Sequence, residues 1–542
     1  MRTVPYSIAR CFSHGGTSLR EEADTAPASP ASTARPDGRV RGDGNANRND
    51  NDTDRKNGSV YGRAAAAVLG SAGRAVSPAP RSGAAPWLRR GALALATMLV
   101  TAGATLGAQA TTTRPATPAA KTATQRGIGD DTATTSYTVG GVRVIHRRVT
   151  ANDVVAANLY LLGGTRQVVD STAGIEGLLL EASERGTRKY SKDAIRLSMA
   201  RLGSAIVTDP GSDWTLYALR STTAAFDSTW TIWADRLMAP RLDTAEVEQV
   251  RGQYLSAVQQ RRESADALLE FLADSVANAG HPYGISPEGT ERSIGRITIG
   301  EMRAYQQSHM VTSRMLLVVV GNVERARVER LVRLTLARLP AGTYKWTLPP
   351  PAPVRTQAVI VTESRALPTN YILGYFSGPP ASSPDYVALR VATAVLSGRL
   401  YAEIRSRRNL TYAVHSPFVE RAVAEAGLYV TTTQPEVTLD LMRQQVEDIQ
   451  THVVEREALG RLVQQFITEY FLDNETNSDQ ASMLARNELF RGDWRAADRF
   501  VDELRRVTPE DVRRAAKTYM NAPAFAYVGD ASRVPTAAVR GF

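Results

Sequence analysis

Cysteine is nearly absent: Cys11 is the only one in 542 residues. It sits in a segment expected to be missing from the mature protein, so no disulfide and no thiolate metal site is available in any compartment. Histidine is scarce as well. The six are His14, His146, His281, His309, His415 and His452, and no two are close in sequence. A pair of imidazoles one helical turn apart, the usual way for a helix to grip zinc, is therefore missing. The body of the chain also lacks a charge imbalance. The formal net charge is +10, but residues 1–110 carry 14 Lys+Arg against 8 Asp+Glu, leaving 51 against 47 for residues 111–542. Such a balance gives little support to nucleic-acid binding.

What is present fits a globular protein, with 43% hydrophobic and 22% charged residues. The length corresponds to about two to four domains. Residues 1–85 are rich in Gly, Ala, Ser, Asp, Asn, Pro and Arg. A segment so poor in bulky apolar side chains cannot offset its ordering entropy and is expected to be disordered or to lie upstream of the true start. Residues 86–110 follow with Arg89-Arg90, the apolar run GALALATMLVTAGATLGA and Ala108-Gln109-Ala110. Charged n-region, short h-region and A-x-A site together resemble a secretory signal, which implies export across the inner membrane to the periplasm. A membrane anchor through residues 91–108 is the alternative, since about 18 apolar residues can span a bilayer. A signal belongs at an N-terminus, so a non-Met start codon at Val76 or Leu88 is a working hypothesis. The Thr/Ala/Pro tract at 111–135 reads as a solvated linker.

From Ser136 the pattern becomes strand-like, with YTVGGVRVIHRR and VVAANLYLLGG. A helix is expected from about Ile175, then a strand pair turning at Pro210-Gly211, then helices over 224–238 and 245–277. Two stretches repeat. ITIGEMRAYQQSHMVTSRMLLVVVGNV and VTPEDVRRAAKTYMNAPAFAYVGDA each open on Thr with an acid three residues on, run through a helix to Met, and end in an apolar strand closed by Gly. A duplicated domain of about 200 residues accounts for this spacing. The expected fold is α+β, with an antiparallel sheet and packed helices in each half, because strands come in hairpins. The halves span 136–340 and 355–533, joined by a proline-rich connector at 341–354.

The stretch AGIEGLLLEASERGTRKYS, beginning at Ala173, resembles the signature of the pitrilysin/insulinase metallopeptidases, in which a helix carries H-x-x-E-H ahead of Gly-Thr and Tyr-Ser. HPYGISPEGTERSIGRIT, VVVGNV and GRLYAEIRSRRNLTYAVHSPF resemble further blocks of that family, in the same order. The resemblance implies a zinc helix, but its slots hold Gly177, Leu180 and Glu181, and the distal Glu falls at Ala257. Both histidines, the general base and the distal carboxylate are replaced, so no metal is expected in this chain. Glu176, Glu181 and Glu184 could gather a hard cation, though acids on an early helix turn more commonly form a solvated face favoured by the dipole. His281 is expected to be a turn residue.

The resemblance also implies that Arg405 and Tyr412 keep the spacing of an Arg/Tyr pair that contacts substrate backbone. Guanidinium and phenol can both donate to peptide carbonyls. Asn409 replaces the family's Gly. By composition alone, Arg405 would be an exposed helix arginine and Tyr412 a packed strand aromatic. Loss of zinc ligands with retention of Arg/Tyr resembles the non-catalytic subunits of heterodimeric relatives, which implies a zinc-bearing partner, zinc held there, and unfolded peptides as substrates. A scaffold or peptide-holding protein with no part in proteolysis, a peptidase with relocated ligands, and a homodimer are the other readings. N-terminal sequencing of the expressed precursor tests the start: peptides beginning near Val76 or Leu88 are expected, and peptides from residues 20–70 would contradict it.

Overall fold

The computed structural model describes residues 134–542. The expectations for residues 1–133, namely the disordered segment, the signal or anchor and most of the linker, lie outside the described residues.

The first half builds its sheet from β1 (Thr134–Val139), β2 (Val142–Arg148), β3 (Val154–Leu162), β4 (Ala205–Pro210), β5 (Trp214–Thr222) and β6 (Met315–Gly321). Its helices are α1 (Ile175–Ala182), α2 (Lys192–Leu202), α3 (Phe226–Met238), α4 (Thr244–Glu263), α5 (Ala265–Ala277), α6 (Glu291–Arg296), α7 (Ile299–His309) and α8 (Arg325–Leu334). The second half has β7 (Val359–Ser364), β8 (Asn370–Pro380), β9 (Val414–His415), β10 (Phe418–Val419), β11 (Val423–Thr432) and β12 (Ala524–Gly529). Its helices are α9 (Asp385–Leu400), α10 (Pro435–Thr451), α11 (Arg456–Asp473), α12 (Asn477–Arg491), α13 (Ala496–Arg506), α14 (Pro509–Tyr519) and α15 (Thr536–Arg540).

The strand orders are β1-β2-β6-β3-β5-β4 and β10-β11-β8-β12-β7, with β9 beside β11. The two α+β halves are as expected, but each sheet is mixed where an antiparallel one was expected: β2 and β6 run parallel, as do β12 and β7, while the remaining pairs are antiparallel. The parallel pairs arise where the last strand of each half enters after a long helical excursion instead of a hairpin. The repeat is physical. Thr298 caps α7 through Glu301 N–H, and Thr508 caps α14 through Asp511 N–H, with the acidic side chain returning to the cap in both.

Each sheet is covered by its own helices on one face and by a helix of the other half on the opposite face. On β3, Val155, Ala157, Leu159 and Leu161 join the core of the first half. Tyr160 and Leu162 face Ala481, Leu484, Ala485 and Leu489 of α12. On β12, Phe525 and Tyr527 join the second half's core, whereas Ala524, Ala526 and Val528 meet Leu268, Leu269 and Leu272 of α5. Burial on both faces explains the unbroken apolar run MLLVVVG of β6, where a one-sided strand would alternate.

The exchange depends on a break. A single helix was expected over 245–277, but Ser264 adopts an extended conformation and its side chain accepts from Ala267 N–H, ending α4 and starting α5 in a new direction. Polar contacts reinforce the junction. Tyr283 donates to Asp213 at 2.7 Å, whose second oxygen accepts from Ala422 N–H at 2.9 Å. Arg421 donates to both oxygens of Asp274, at 2.8 and 2.6 Å. The proline-rich connector is pinned, with Pro350 O beside His281 Nε2 at 3.1 Å and Pro353 O accepting from Ser377 at 2.5 Å.

Leu269 and Leu484 are fully buried on the exchanged helices. Leu269→Ala or Leu484→Ala should each cost about 2–5 kcal/mol. Denaturant titration followed by fluorescence and far-UV circular dichroism should show both halves losing stability together. A variant that loosens one half and spares the other would contradict the exchanged packing.

Candidate functional site

Helix α1 starts at Gly174, whose φ of 86° is left-handed; a Cβ there would lie 2.7 Å from Glu288 O. Only glycine suits that position. The helix is short and almost wholly buried, with Leu178, Leu179 and Leu180 at 0%, 2% and 1% exposure. Its acids do not form one solvated face. Glu176 is buried, accepting from Tyr305 Oη at 2.9 Å and from Arg314 Nη1 at 3.0 Å. The Tyr305 ring stacks on His309 at 3.9 Å, and Arg314 also donates to Leu162 O. Glu176 therefore anchors α1 to α7 and to the end of β3. Removing either member of such a buried pair strands the other charge. Glu184 alone is well exposed, and Glu181 is half-buried.

The four positions that the family resemblance sets against zinc ligands and base do not offer the donors a metal needs. Gly177 and Leu180 have no donor, Ala257 is exposed on α4, and Glu181 is a lone carboxylate. Burial, with Glu184 adding to it, raises the Glu181 carboxyl, against the pull of Arg236 and Arg185. The space itself is taken. A Cβ at residue 177 would lie 2.6 Å from Tyr254 Oη and 2.8 Å from Pro210 Cγ. Tyr254 stands one turn before Ala257 on α4, so that helix fills the space over Gly177. Burial, and then Glu181 and Glu288, push the Tyr254 phenol up, so it stays neutral and is a poor anionic ligand. A catalytic zinc needs three protein donors. Among the described residues no three His, Cys, Asp or Glu side chains gather closely enough to hold an ion. The contact of Tyr254 with position 177 was not read from the sequence; the available signal was an aromatic one helical turn from Ala257.

His281 is a turn residue. It caps Pro282–Gly284, with Nδ1 accepting from Tyr283 N–H at 3.2 Å, so Nε2 carries the proton toward Pro350 O.

Arg405 and Tyr412 are brought together. α9 continues into a wider π-helical segment, Tyr401–Arg407, which carries Arg405. Asn409 takes a φ of 52°, the left-handed value that asparagine tolerates better than other side chains, so the turn survives the loss of glycine. Leu410 N–H donates to Ile404 O at 3.0 Å and closes it. Arg405 Nη1 donates to Thr411 O at 2.8 Å, and its guanidinium lies 4.9 Å from the centre of the Tyr412 ring. Tyr412 is 88% exposed, so it is not a packed strand aromatic. An exposed tyrosine beneath a tethered arginine offers two donors side by side to any carbonyl that reaches them. The following strand is tied to α5: His415 lies 4.7 Å from the Tyr429 ring, and Tyr429 donates to Asp266 at 2.6 Å.

The filled ligand position has a measurable consequence. With Gly177→His, Leu180→Glu, Glu181→His and Ala257→Glu combined, zinc content is expected to stay far below stoichiometric; adding Tyr254→Ala should raise it. Full zinc occupancy with Tyr254 in place would contradict the occlusion.

A family model described as "Insulinase (Peptidase family M16)" matches residues 143–315, and one described as "Peptidase M16 inactive domain" matches residues 296–466. An uncharacterized zinc protease of Streptomyces coelicolor is 22% identical over 422 residues, 75% of this chain and 91% of that protein. Human mitochondrial cytochrome b-c1 complex subunit 1 is 22% identical over 258 residues, 47% of this chain and 53% of that one. Among solved structures, a peptidase M16 inactive domain from Pseudomonas fluorescens aligns with a TM-score of 0.67 at 19% identity, covering 73% of this chain and 98% of its own. The periplasmic protease PqqL from Escherichia coli aligns at 0.62 and 16% identity, covering 80% and 49%. The structural likenesses carry the fold, and the two family matches, continuous from residue 143 to 466, place the chain in the insulinase (M16) peptidase family.

Proposed function

We propose that this chain is a non-catalytic subunit of an exported metalloprotease, which binds unfolded peptide and completes the chamber for a homologous partner that carries zinc. The observation that carries this reading is a contrast within the chain. The α1 ligand position is occupied by Tyr254 and Pro210, while Arg405 and Tyr412 stay paired at the surface. A protein that had lost all peptide chemistry would have no need of two donors held together in the open.

In this arrangement the partner supplies the metal and the activated water. Arg405 and Tyr412 donate to the carbonyls of an extended peptide, fixing its register against the partner's zinc. The chain itself moves no proton and breaks no bond. Export rests on the charged, apolar and A-x-A pattern of residues 86–110; among the described residues no helix is long and apolar enough to cross a membrane.

A scaffold role without proteolysis is the second reading, and the likeness to a cytochrome b-c1 complex subunit favours it. In a complex with the zinc-bearing homologue, Arg405→Ala should lower peptide turnover roughly ten- to a hundredfold, the scale of a lost charge-assisted donor. Tyr412→Phe should lower it severalfold. Unchanged steady-state kinetics in both variants would leave the pair as structure only and turn the account toward the scaffold.

A further inference from the structure

At the C-terminal end of α1 lies a second candidate site that the Arg405–Tyr412 pair does not use. Glu184 and Arg185 meet α2, β4 and α3 around a cleft of about 260 Å³. Its apolar lining comes from Ile195, Met199 and Ile206, and its polar lining from Arg185, Arg196, Arg236 and Lys192 against the single acid Glu184. The charges are not equally available. Lys192 is held by Glu246 at 2.9 Å. Arg196 has only a loose contact with Asp193, at 3.6 Å with both side chains more than 70% exposed, which holds it weakly.

The other two arginines are more constrained. The Arg236 side chain is 4% exposed, with Nε donating to Ser183 Oγ at 3.2 Å and Nη2 to Leu180 O at 3.4 Å, so the cation is fixed before any ligand arrives. Its nearest acid in the cleft, Glu184, is 3.7 Å away and 55% exposed. Arg185 gives Nη2 to Gln253 at 2.8 Å, yet its Nε is buried and has no hydrogen-bond partner among the described residues. A carboxylate suits this set, since guanidinium groups match its two oxygens.

We propose that this cleft binds the free C-terminal carboxylate of an extended peptide whose last side chain is aliphatic. The arginines take the carboxylate, and Ile195, Met199 and Ile206 receive the side chain. The volume sets the scale: at about 260 Å³ the cleft lies just below the range of about 300–1,000 Å³ typical of sites for drug-sized ligands, which leaves room for a chain end. The choice of a peptide rests on the proposed function; the carboxylate and the aliphatic group rest on the cleft alone.

The test uses the full chain and a short labelled unstructured peptide ending in Leu, prepared as the free acid and as the C-terminal amide, with binding read by fluorescence anisotropy. The acid should bind roughly tenfold or more tightly than the amide, the range of a charge-assisted contact. Arg185→Gln with Arg196→Gln should cut that difference severalfold, with Arg236 still in place. Arg196→Gln alone, at an exposed position that leaves folding unaffected, should narrow it. Equal binding of acid and amide, with both weakened by Arg405→Ala, would overturn the cleft and leave the Arg405–Tyr412 reading standing. No binding of either peptide would overturn both.

Discussion

The exchange of helices between the two halves is the constraint on which the rest of the structure depends. A sheet with one face on its own helices would expose an apolar surface on the other. Here α5 leaves the first half at Ser264 to cover the second sheet, and α12 of the second half covers the first. Each half therefore supplies part of the other's core, which is why β3 and β6 can be apolar nearly throughout. The same exchange positions the candidate site. α5 carries Asp266, which accepts from Tyr429 in the strand beside His415, three residues after Tyr412. The first half thus braces the segment on which the second half presents its donors.

Within that frame, the helix that could have been a zinc helix has become a packing element. Glu176 ties it to Arg314 and Tyr305, three leucines bury it, and Tyr254 fills the space over Gly177. A glycine at 177 with nothing over it would leave a void, and voids beside buried leucines are costly. Tyr254 removes the void and keeps its hydroxyl neutral beside Glu181.

Much of this was legible in the sequence because it rests on local rules. The capping boxes at Thr298 and Thr508, the duplicated helix–strand unit and the strand pairs all come from short-range chemistry that neighbouring residues report. Gly177, Leu180 and Ala257 could be recognised as non-ligands from residue type alone. What could not be read was long-range. The break at Ser264 looks like an ordinary serine in a helical run until α5 has a second sheet to cover. Glu176 reads as one of three acids at the start of a helix, and only the fold brings Arg314, 138 residues away, to 3.0 Å. Tyr254, and the arginines around the cleft, belong to the same class. Asn409 is an intermediate case: a non-glycine in a turn position raised a local question that its left-handed backbone answers.

The central claim is that this chain handles peptide but leaves cleavage to a partner. The most direct measurement is hydrolysis of an unstructured peptide by the purified chain alone, with and without a zinc chelator, together with elemental analysis of the same sample. The account predicts no chelator-sensitive cleavage and zinc far below one equivalent. Robust cleavage abolished by chelation, in a sample holding stoichiometric zinc, would contradict it.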